Sequence, residues 1–423
     1  MTTAPFEATL DINHIVAGGD GLARHESLVV FVPRTLAGER VRASVTVKGR
    51  LARGKLQSVE RASPARVPAR CVHYDADKCG GCQLQHASYE EQLRAKGEIV
   101  VAAFRRIAHL EVATPEVRAA ATPWRYRSKL TLALRKDGQR WYAGLRQHDA
   151  PNAVFPLKDC LITAEPVVQA WRDVLAAASY LPRADSLRGS VRVGHDGGAS
   201  FVLEGADVWP CAAEFFLGVP ALRSLWWIPA HGKRRRIATR EAAAGASEPD
   251  ASFAQVNAAT GALMLGYVLG RVRARAPRHV IDAYAGIGDA SAALDGDGIR
   301  VTSIELDRDA GEWVANRLSP RSRVVIDRVE NALAGVLPAD VVILNPPRTG
   351  VDARVCDAIA HASPAPRTVV YVSCDPAPLA RDVSRMPGWR IGSLTCFDMF
   401  PQTAHVETVC ELVPVAPARL EGA

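Results

Sequence analysis

Residues 367 to 379 read "RTVVYVSCDPAPL". The β-branched, aromatic run predicts a strand, and the Asp-Pro that follows predicts the start of a helix. Cys374 falls between the two. A thiol in mid-strand would be packing, but one at a strand's carboxyl end, beside a helix start, lies where α/β proteins hold their ligands.

The same strand-then-helix rhythm runs from about residue 253 to the end. "HVIDA", "RVTSIE", "RVVI", "DVVIL" and "TVVYVS" predict strands with helices between them. "WRIGSLTCF" and "VETVCELVP" are joined by a short connection and so pair antiparallel. The expected fold is an α/β doubly wound sheet, seven-stranded and mostly parallel, closed by a hairpin.

Upstream the pattern changes. "FEATLDIN", "SLVVFV", "RVRASVTVK" and "RGKLQSV", with turns such as "AGGDG", predict a small β-barrel. Through Arg70 the chain carries eleven Lys and Arg against six Asp and Glu, which suits either a nucleic-acid platform or an ordinary solvated surface. "ASPARVPAR" reads as a linker. "SYEEQLRAKGEIVVAAFRRI" has amphipathic helical spacing, with Ser88 and Glu91 placed for a capping box. "WRYRSKLTLALRKDGQRWYAGLR" predicts a hairpin dense in Arg, Lys, Trp and Tyr, able to stack bases and neutralise phosphate or to be a plain charged strand pair. "GKRRR" and "EAAAGASEPD" read as a surface loop and a boundary. Three domains are expected: a barrel over 1–62, an α+β central domain over 63–250, and an α/β domain over 251–423.

A chain of 423 residues with 48% hydrophobic residues is globular, and its net charge of +7 suits a polyanionic partner. No apolar run approaches the roughly 20 residues that cross a bilayer, so no membrane partner is expected. "MTTAPFEATLDINH" lacks a signal-like apolar region, which gives a cytoplasmic expectation. Nine cysteines in that compartment point to metal binding or catalysis rather than a disulfide framework.

Several chemistry-bearing residues fall at strand ends. Gly286 and Gly288 form a turn that lets backbone approach a ligand at a helix N-terminus. Glu305, 23 residues after Asp282, ends the next strand where a carboxylate binds ribose hydroxyls. Together they indicate a nucleoside-containing cofactor. "NPPRTG" holds a stiff turn that fixes Asn345 toward the crevice beside Cys374.

"QVN", "DAYAGIG", "NPPR", "VSCDP" and "DMFPQTAHVE", with "WRYRSK" and "CGGCQLQH" before them, occur in an order that resembles the S-adenosylmethionine-dependent RNA 5-methyluridine methyltransferases. The barrel looks like the TRAM domain of their ribosomal-RNA branch. The resemblance implies methyl transfer from S-adenosylmethionine to uracil C5, with RNA, and 23S rRNA in particular, as partner of a monomeric enzyme. Cys374 is implied as nucleophile and Glu407 as base. Gln255, Tyr284, Asp289, Glu305 and Asn345 fall at cofactor-contacting positions beside Gly286 and Gly288. Two positions depart from the family: Asn345 stands where Asp is usual, and Asp289 where Asn is common.

Cys71, Cys79 and Cys82 cluster, with Cys160 as a distant fourth. Four thiolates suit a 4Fe-4S cluster or tetrahedral zinc, and spacing does not choose. The resemblance favours iron–sulfur, although seven residues separate the first pair where five are usual. Cys211, Cys356, Cys396 and Cys410 have no clustered partner and read as small buried thiols. Three rivals stand beside this reading: a tRNA uridine-C5 methyltransferase, an amino-group methyltransferase using the "NPPR" turn without a thiol, and a non-catalytic RNA-binding factor with a vestigial fold.

Overall fold

In the first sixty residues apolar side chains alternate with polar ones, so each strand has one face to bury. The computed structural model, which describes residues 4–194, 197–240 and 255–415, closes them into a barrel. Its strands are β1 (Phe6–Ile15), β2 (Gly21–His25), β3 (Leu28–Val32), β4 (Arg40–Lys48) and β5 (Leu51–Arg61), in the order β1-β2-β3-β5-β4. Leu10, Val30, Val32, Val41 and Val45 fill the interior. Closure removes the free edges, and the five-stranded form fits an OB-like barrel. The "AGGDG" turn meets the rest of the molecule at Gly19. Its φ is +89°, and an added Cβ would lie 2.6 Å from that of Gln83 and 3.2 Å from that of Ala404.

The middle of the chain adds β6 (Glu116–Arg118), β7 (Lys129–Asp137), β8 (Arg140–Arg146), β9 (Val154–Pro156), β10 (Ser186–Val193), β11 (Ala199–Glu204), β12 (Leu222–Ile228) and β13 (Arg235–Thr239). All but β6 form a seven-stranded sheet in the order β13-β12-β11-β10-β7-β8-β9. Leu130, Leu132 and Leu134 of β7 are buried and pack with Val167, Trp171 and Val174 of the helix Glu165–Ala176. The hairpin forms around Asp137–Arg140, as its sequence predicts. The last residues of "GKRRR" lie in β13 rather than in a loop. The "EAAAGASEPD" stretch, and with it the expected boundary at 250, lies outside the described residues.

The C-terminal sheet contains β14 (His279–Ala283), β15 (Arg300–Glu305), β16 (Arg323–Ile326), β17 (Val341–Leu344), β18 (Thr368–Ser373), β19 (Trp389–Phe397) and β20 (Glu407–Pro414). The order is β16-β15-β14-β17-β18-β20-β19-β6, with β14 to β18 parallel and β20 antiparallel to both neighbours. Eight strands stand where seven were expected, because β6 adds itself parallel to β19. A three-residue strand gives almost no periodic signal, so only its partner reveals it.

The helix Tyr89–Ala103 also leaves the middle segment to pack on this sheet. Val100 and the adjoining Phe104 share a core with Leu379 and Val383 of the helix Pro376–Ser384. Only half of the expected capping box forms. The Ser88 hydroxyl accepts the Glu91 N–H, but the Ser88 N–H donates to Ala65 O and the Glu91 carboxylate pairs with Arg94. Cys356, Cys396 and Cys410 are buried as expected, whereas Cys211 is exposed at the start of the short helix Ala212–Gly218.

Candidate active site and cysteine cavity

The carboxyl ends of β15, β14, β17 and β18 lie side by side, and every expected residue of the α/β domain except Gln255 and Glu407 follows or ends one of them. After β14, Tyr284, Gly286 and Gly288 all have positive φ, at 63°, 58° and 76°. A bulky residue in that region is unusual, and three such residues in five make a tight crest of exposed backbone. A Cβ on Gly288 would collide with Val314 at 2.6 Å, so the helix Asp289–Gly296 can start only from glycine. Gly286 faces open space instead, where a ligand can approach its backbone.

Glu305 closes this corner. One carboxylate oxygen accepts the Gly286 N–H at 2.7 Å and the other the Asp307 N–H at 2.8 Å. Each oxygen keeps a lone pair for a hydroxyl. Asp289 pairs with Arg317, which also donates to Ile287 O. Behind the crest, Asp282 is buried against the Ser291 hydroxyl at 2.5 Å, and burial pushes its carboxyl up to about 6. Gln255 is half-buried at the start of the segment leading into the helix Ala258–Arg273, with Asn257 as the N-cap. A crest of exposed backbone at a helix start, with an acid one strand away, is an arrangement that suits a nucleoside-containing ligand.

The second corner comes from an antiparallel register. β18 and β20 end their pairing with Ser373 opposite Thr408, which brings the next residue on each side, Cys374 and Glu407, within electrostatic reach of each other. Cys374 is half-buried, and Asp375 caps the following helix by accepting the Ala377 N–H at 2.9 Å. Burial raises the Cys374 thiol, the facing Glu407 charge raises it further, and Arg348 opposes both. Glu407 itself is 5% exposed, and burial lifts its carboxyl to about 7 against the pull of Arg348. A carboxylate with that value can exchange protons at neutral pH.

Arg348 lies in the "NPPR" turn, and sequence reading gave it no task. The turn is pinned from below by buried Asp382, whose carboxylate accepts the Val351 N–H at 2.9 Å and the Tyr371 hydroxyl at 2.8 Å. Asn345 begins the turn, exposed, with its N–H donating to Ala283 O at 3.3 Å.

The loop between β19 and β20 delivers Glu407, and residues far upstream hold it. Lys96 is fully buried, forms an ion pair with buried Asp398 and donates to Phe400 O at 3.0 Å. Gln92 and Gln402 exchange two hydrogen bonds, 3.1 and 2.9 Å, which hold Gln402 at a left-handed φ of 70°. Tyr126 donates to Pro401 O, and the N–H groups of Gln83 and Leu84 donate to Gln402 O. No periodicity marks these partners, because they meet only through tertiary packing.

Cys71, Cys79, Cys82 and Cys160 line one cavity of about 120 Å³. Cys160 reaches it through Asp159, which accepts the Cys160 N–H at 2.7 Å and pairs with Arg125. Burial pushes Cys79 up to about 11 and Cys82 higher still; Cys71 and Cys160 raise both further, and Cys79 also raises Cys82. Such thiols stay protonated unless a cation joins them. Four thiols are the donor type of a four-thiolate centre. As they stand, however, no three His, Cys, Asp or Glu side chains among the described residues form a group that could hold a metal ion.

Comparison with known proteins identifies the chain's relatives. Residues 323–413 match the family described as tRNA (uracil-5-)-methyltransferase. An RNA methyltransferase of Thermosynechococcus vestitus is 31% identical over 95% of this chain and 97% of its own length. The 23S rRNA (uracil(1939)-C(5))-methyltransferase RlmD of Pseudomonas putida is 30% identical over 95% and 92%. In fold, the chain is similar to the Pyrococcus abyssi tRNA (uracil-54, C5)-methyltransferase solved with S-adenosyl-L-homocysteine. The TM-score is 0.70 at 21% identity, covering 96% of this chain and all of that one. With its strand-end crest, its paired thiol and carboxylate and these full-length relatives, the chain belongs to the S-adenosylmethionine-dependent RNA (uracil-C5)-methyltransferases.

Proposed function

We propose that this enzyme methylates C5 of a uridine in 23S rRNA through a transient bond between Cys374 and C6 of the base. The observation that carries the reading is the proximity of Cys374 and Glu407, one residue past the last β18–β20 rung and within electrostatic reach of each other. The full-length likeness to a 23S rRNA enzyme supports the substrate.

Uracil C5 is a weak nucleophile. Once the Cys374 thiol has released its proton to water, the thiolate adds to C6, and the electron pair of the C5–C6 double bond moves toward C5 and O4. Gly286, Gly288, Glu305 and their neighbours would hold S-adenosylmethionine, whose sulfonium supplies an electrophilic methyl group and leaves as neutral S-adenosylhomocysteine. C5 then carries both its hydrogen and the new methyl. Glu407 removes that hydrogen as a proton, the double bond re-forms and the sulfur leaves. Arg348 favours the anionic forms of both Cys374 and Glu407, so it eases thiolate formation and ionisation of the base. Asn345 has no carboxylate to offer, which leaves the base role to Glu407. The target must be flipped or single-stranded to enter.

RNA carrying 5-fluorouridine at the target tests this directly, because fluorine at C5 cannot leave as a proton. A denaturant-stable complex through Cys374 is expected. Its absence, or its persistence in Cys374→Ala, overturns the mechanism.

The barrel is read as a TRAM domain that grips RNA, and the four-cysteine cavity as the seat of a 4Fe-4S cluster rather than zinc. Convergence of the thiols supports the latter, and closing them around a cluster requires their side chains to move. Anaerobic purification with iron and sulfide analysis decides it: about four of each per chain is expected, and zinc or neither overturns it.

A further inference from the structure

The two groups assigned to the reaction stand on different supports. Cys374 directly follows β18, every residue of which is buried. Its neighbours Ser373 and Asp375 bond to each other, and Asp375 caps the next helix through the Ala377 N–H. Glu407 opens β20, but the loop that delivers it, residues 398–406, consists of turns and bends alone. The placement of such a loop is set by what it touches. Lys96 and Gln92 fix Phe400 and Gln402. Ala404, nearer to Glu407 than either, is held by Gln83.

Gln83 is half-buried, and its amide bridges two turns. Nε2 donates to Gly80 O at 3.0 Å, inside the turn between Cys79 and Cys82, and Oε1 accepts the Ala404 N–H at 3.4 Å. An amide donates at one end and accepts at the other, which neither a carboxylate nor an alkyl side chain does. The main chain adds a second bridge: the Gln83 N–H donates to Gln402 O at 3.1 Å, and Gln83 O accepts the buried Tyr74 hydroxyl at 3.1 Å. Arg34 of the barrel lies 4.0 Å from the centre of the Tyr74 ring and donates to Cys79 O at 3.2 Å. From the barrel side Gly19 closes against both Gln83 and Ala404, with no room for a Cβ. Barrel turn, cysteine turn and the loop bearing Glu407 therefore meet at one side chain.

We propose that Gln83 is a positioning residue for Glu407, and that it serves the elimination releasing methylated RNA while leaving the addition of Cys374 untouched. The inference rests on the covalent mechanism and adds which support each half of it needs. In the elimination the C5 proton passes to the Glu407 carboxylate. The C5–H electron pair re-forms the C5–C6 double bond, and the C6–S pair returns to Cys374 as thiolate. A base acts only within hydrogen-bond reach of the proton it takes, so a displaced loop slows this step. Addition draws on the β18 end and the Asp375 cap, with which Gln83 makes no hydrogen bond among those of the described residues. Loosening the junction therefore prolongs the life of the adduct without preventing it.

The test uses full-length Gln83→Leu, which keeps the bulk and the main-chain bonds and loses both amide contacts. With target RNA carrying 5-fluorouridine, adduct formation through Cys374 is expected within about twofold of the parent rate. With unmodified target RNA and labelled cofactor, release of methylated RNA in a single turnover is expected to slow about tenfold, the scale of a lost hydrogen bond that strands its partner. Labelled RNA bound to Cys374 then accumulates on a denaturing gel. Gln83→Glu keeps the acceptor for Ala404 and should release product faster than Gln83→Leu. Calorimetric binding of S-adenosylhomocysteine and the melting temperature report folding, and both should stay near the parent's. Release at the parent rate in a folded variant overturns the proposal. So does slowing of addition and release by one factor, which is what a merely structural role gives. Amide hydrogen exchange reads the placement without the chemistry: the Ala404 amide should exchange about tenfold faster in Gln83→Leu, with residues 368–375 unchanged. Equal exchange at Ala404 also overturns the role. A parent enzyme that forms no adduct refutes the covalent mechanism instead, and exchange at Ala404 alone then decides whether Gln83 positions the loop.

Discussion

Every residue of β14, β17 and β18 is buried, whereas burial along β7 alternates residue by residue from Leu130 to Leu134. The first three strands belong to a parallel stretch with helices on both faces, so no side chain within them meets solvent. Their chemistry is left to the residues just past their ends: Tyr284, Asn345 and Cys374. The central sheet packs one face on the helix Glu165–Ala176 and keeps the other for Lys129, Arg188 and Arg192. A reaction centre needs few groups held to a fraction of an ångström, which strand ends in a packed sheet provide. A polyanion needs many charges along a length, which an open face provides.

The sharpest way to break this contrast is at the strand ends. Cys374→Ala should lower methyl transfer by more than about 10⁴-fold, read with labelled cofactor, because no other group there can activate C5. Glu407→Gln should cost about 10² to 10⁴-fold. It should also leave methylated RNA bound to Cys374 on a denaturing gel, since elimination then lacks its base. Retention of full activity in either variant removes the strand-end centre.

The loop that delivers Glu407 rests on a buried ion pair. Lys96→Met should destabilise the protein by about 3 to 5 kcal/mol by chemical denaturation, because it strands the buried Asp398 carboxylate. Lys96→Met/Asp398→Leu should recover most of that loss. A single substitution as costly as removing a whole charge pair shows that the pair itself, not its desolvation, is what matters.

Glu407 also gives the carboxyl edge a pH signature. Its folded value of about 7 lies above the ordinary carboxylate value. Between about pH 4.5 and 7 the native state therefore holds a proton that the unfolded chain has released. The resulting stability is full below that window and is lost as pH rises through 7. Glu407→Gln has nothing to lose, so its stability relative to the parent should grow from pH 5 to pH 8, by about 2 kcal/mol. A constant difference across that range means that Glu407 is not held in its neutral form.

Much of this was legible in the residues. The strand runs of the C-terminal half, the glycine crest and the thiol after "TVVYVS" are local signals, and each stands where its pattern placed it. The Ser88 cap was legible as well, but its reciprocal half was not. Arg94 competes for Glu91, and Ala65 takes the Ser88 N–H; both are neighbours that a four-residue motif cannot weigh. Cys211 read as a buried thiol and lies exposed, because a lone cysteine carries no periodicity of its own. Arg348, Gln92 and Lys96 gave no signal, since each acts through residues brought near only by folding.

By itself, then, the sequence determined which segments become strands and helices and which chemical groups stand at their ends. Periodicity, turn residues and β-branching act over a few neighbours, and the chain carries them whatever its fold. Tertiary structure decided that Cys374 comes within reach of Glu407, that Cys160 joins three sulfurs far upstream, and that Glu116 of β6 pairs with Thr395 of β19, far later in the chain. Those outcomes depend on register and on burial of distant apolar faces, and both are settled only when the whole chain has packed.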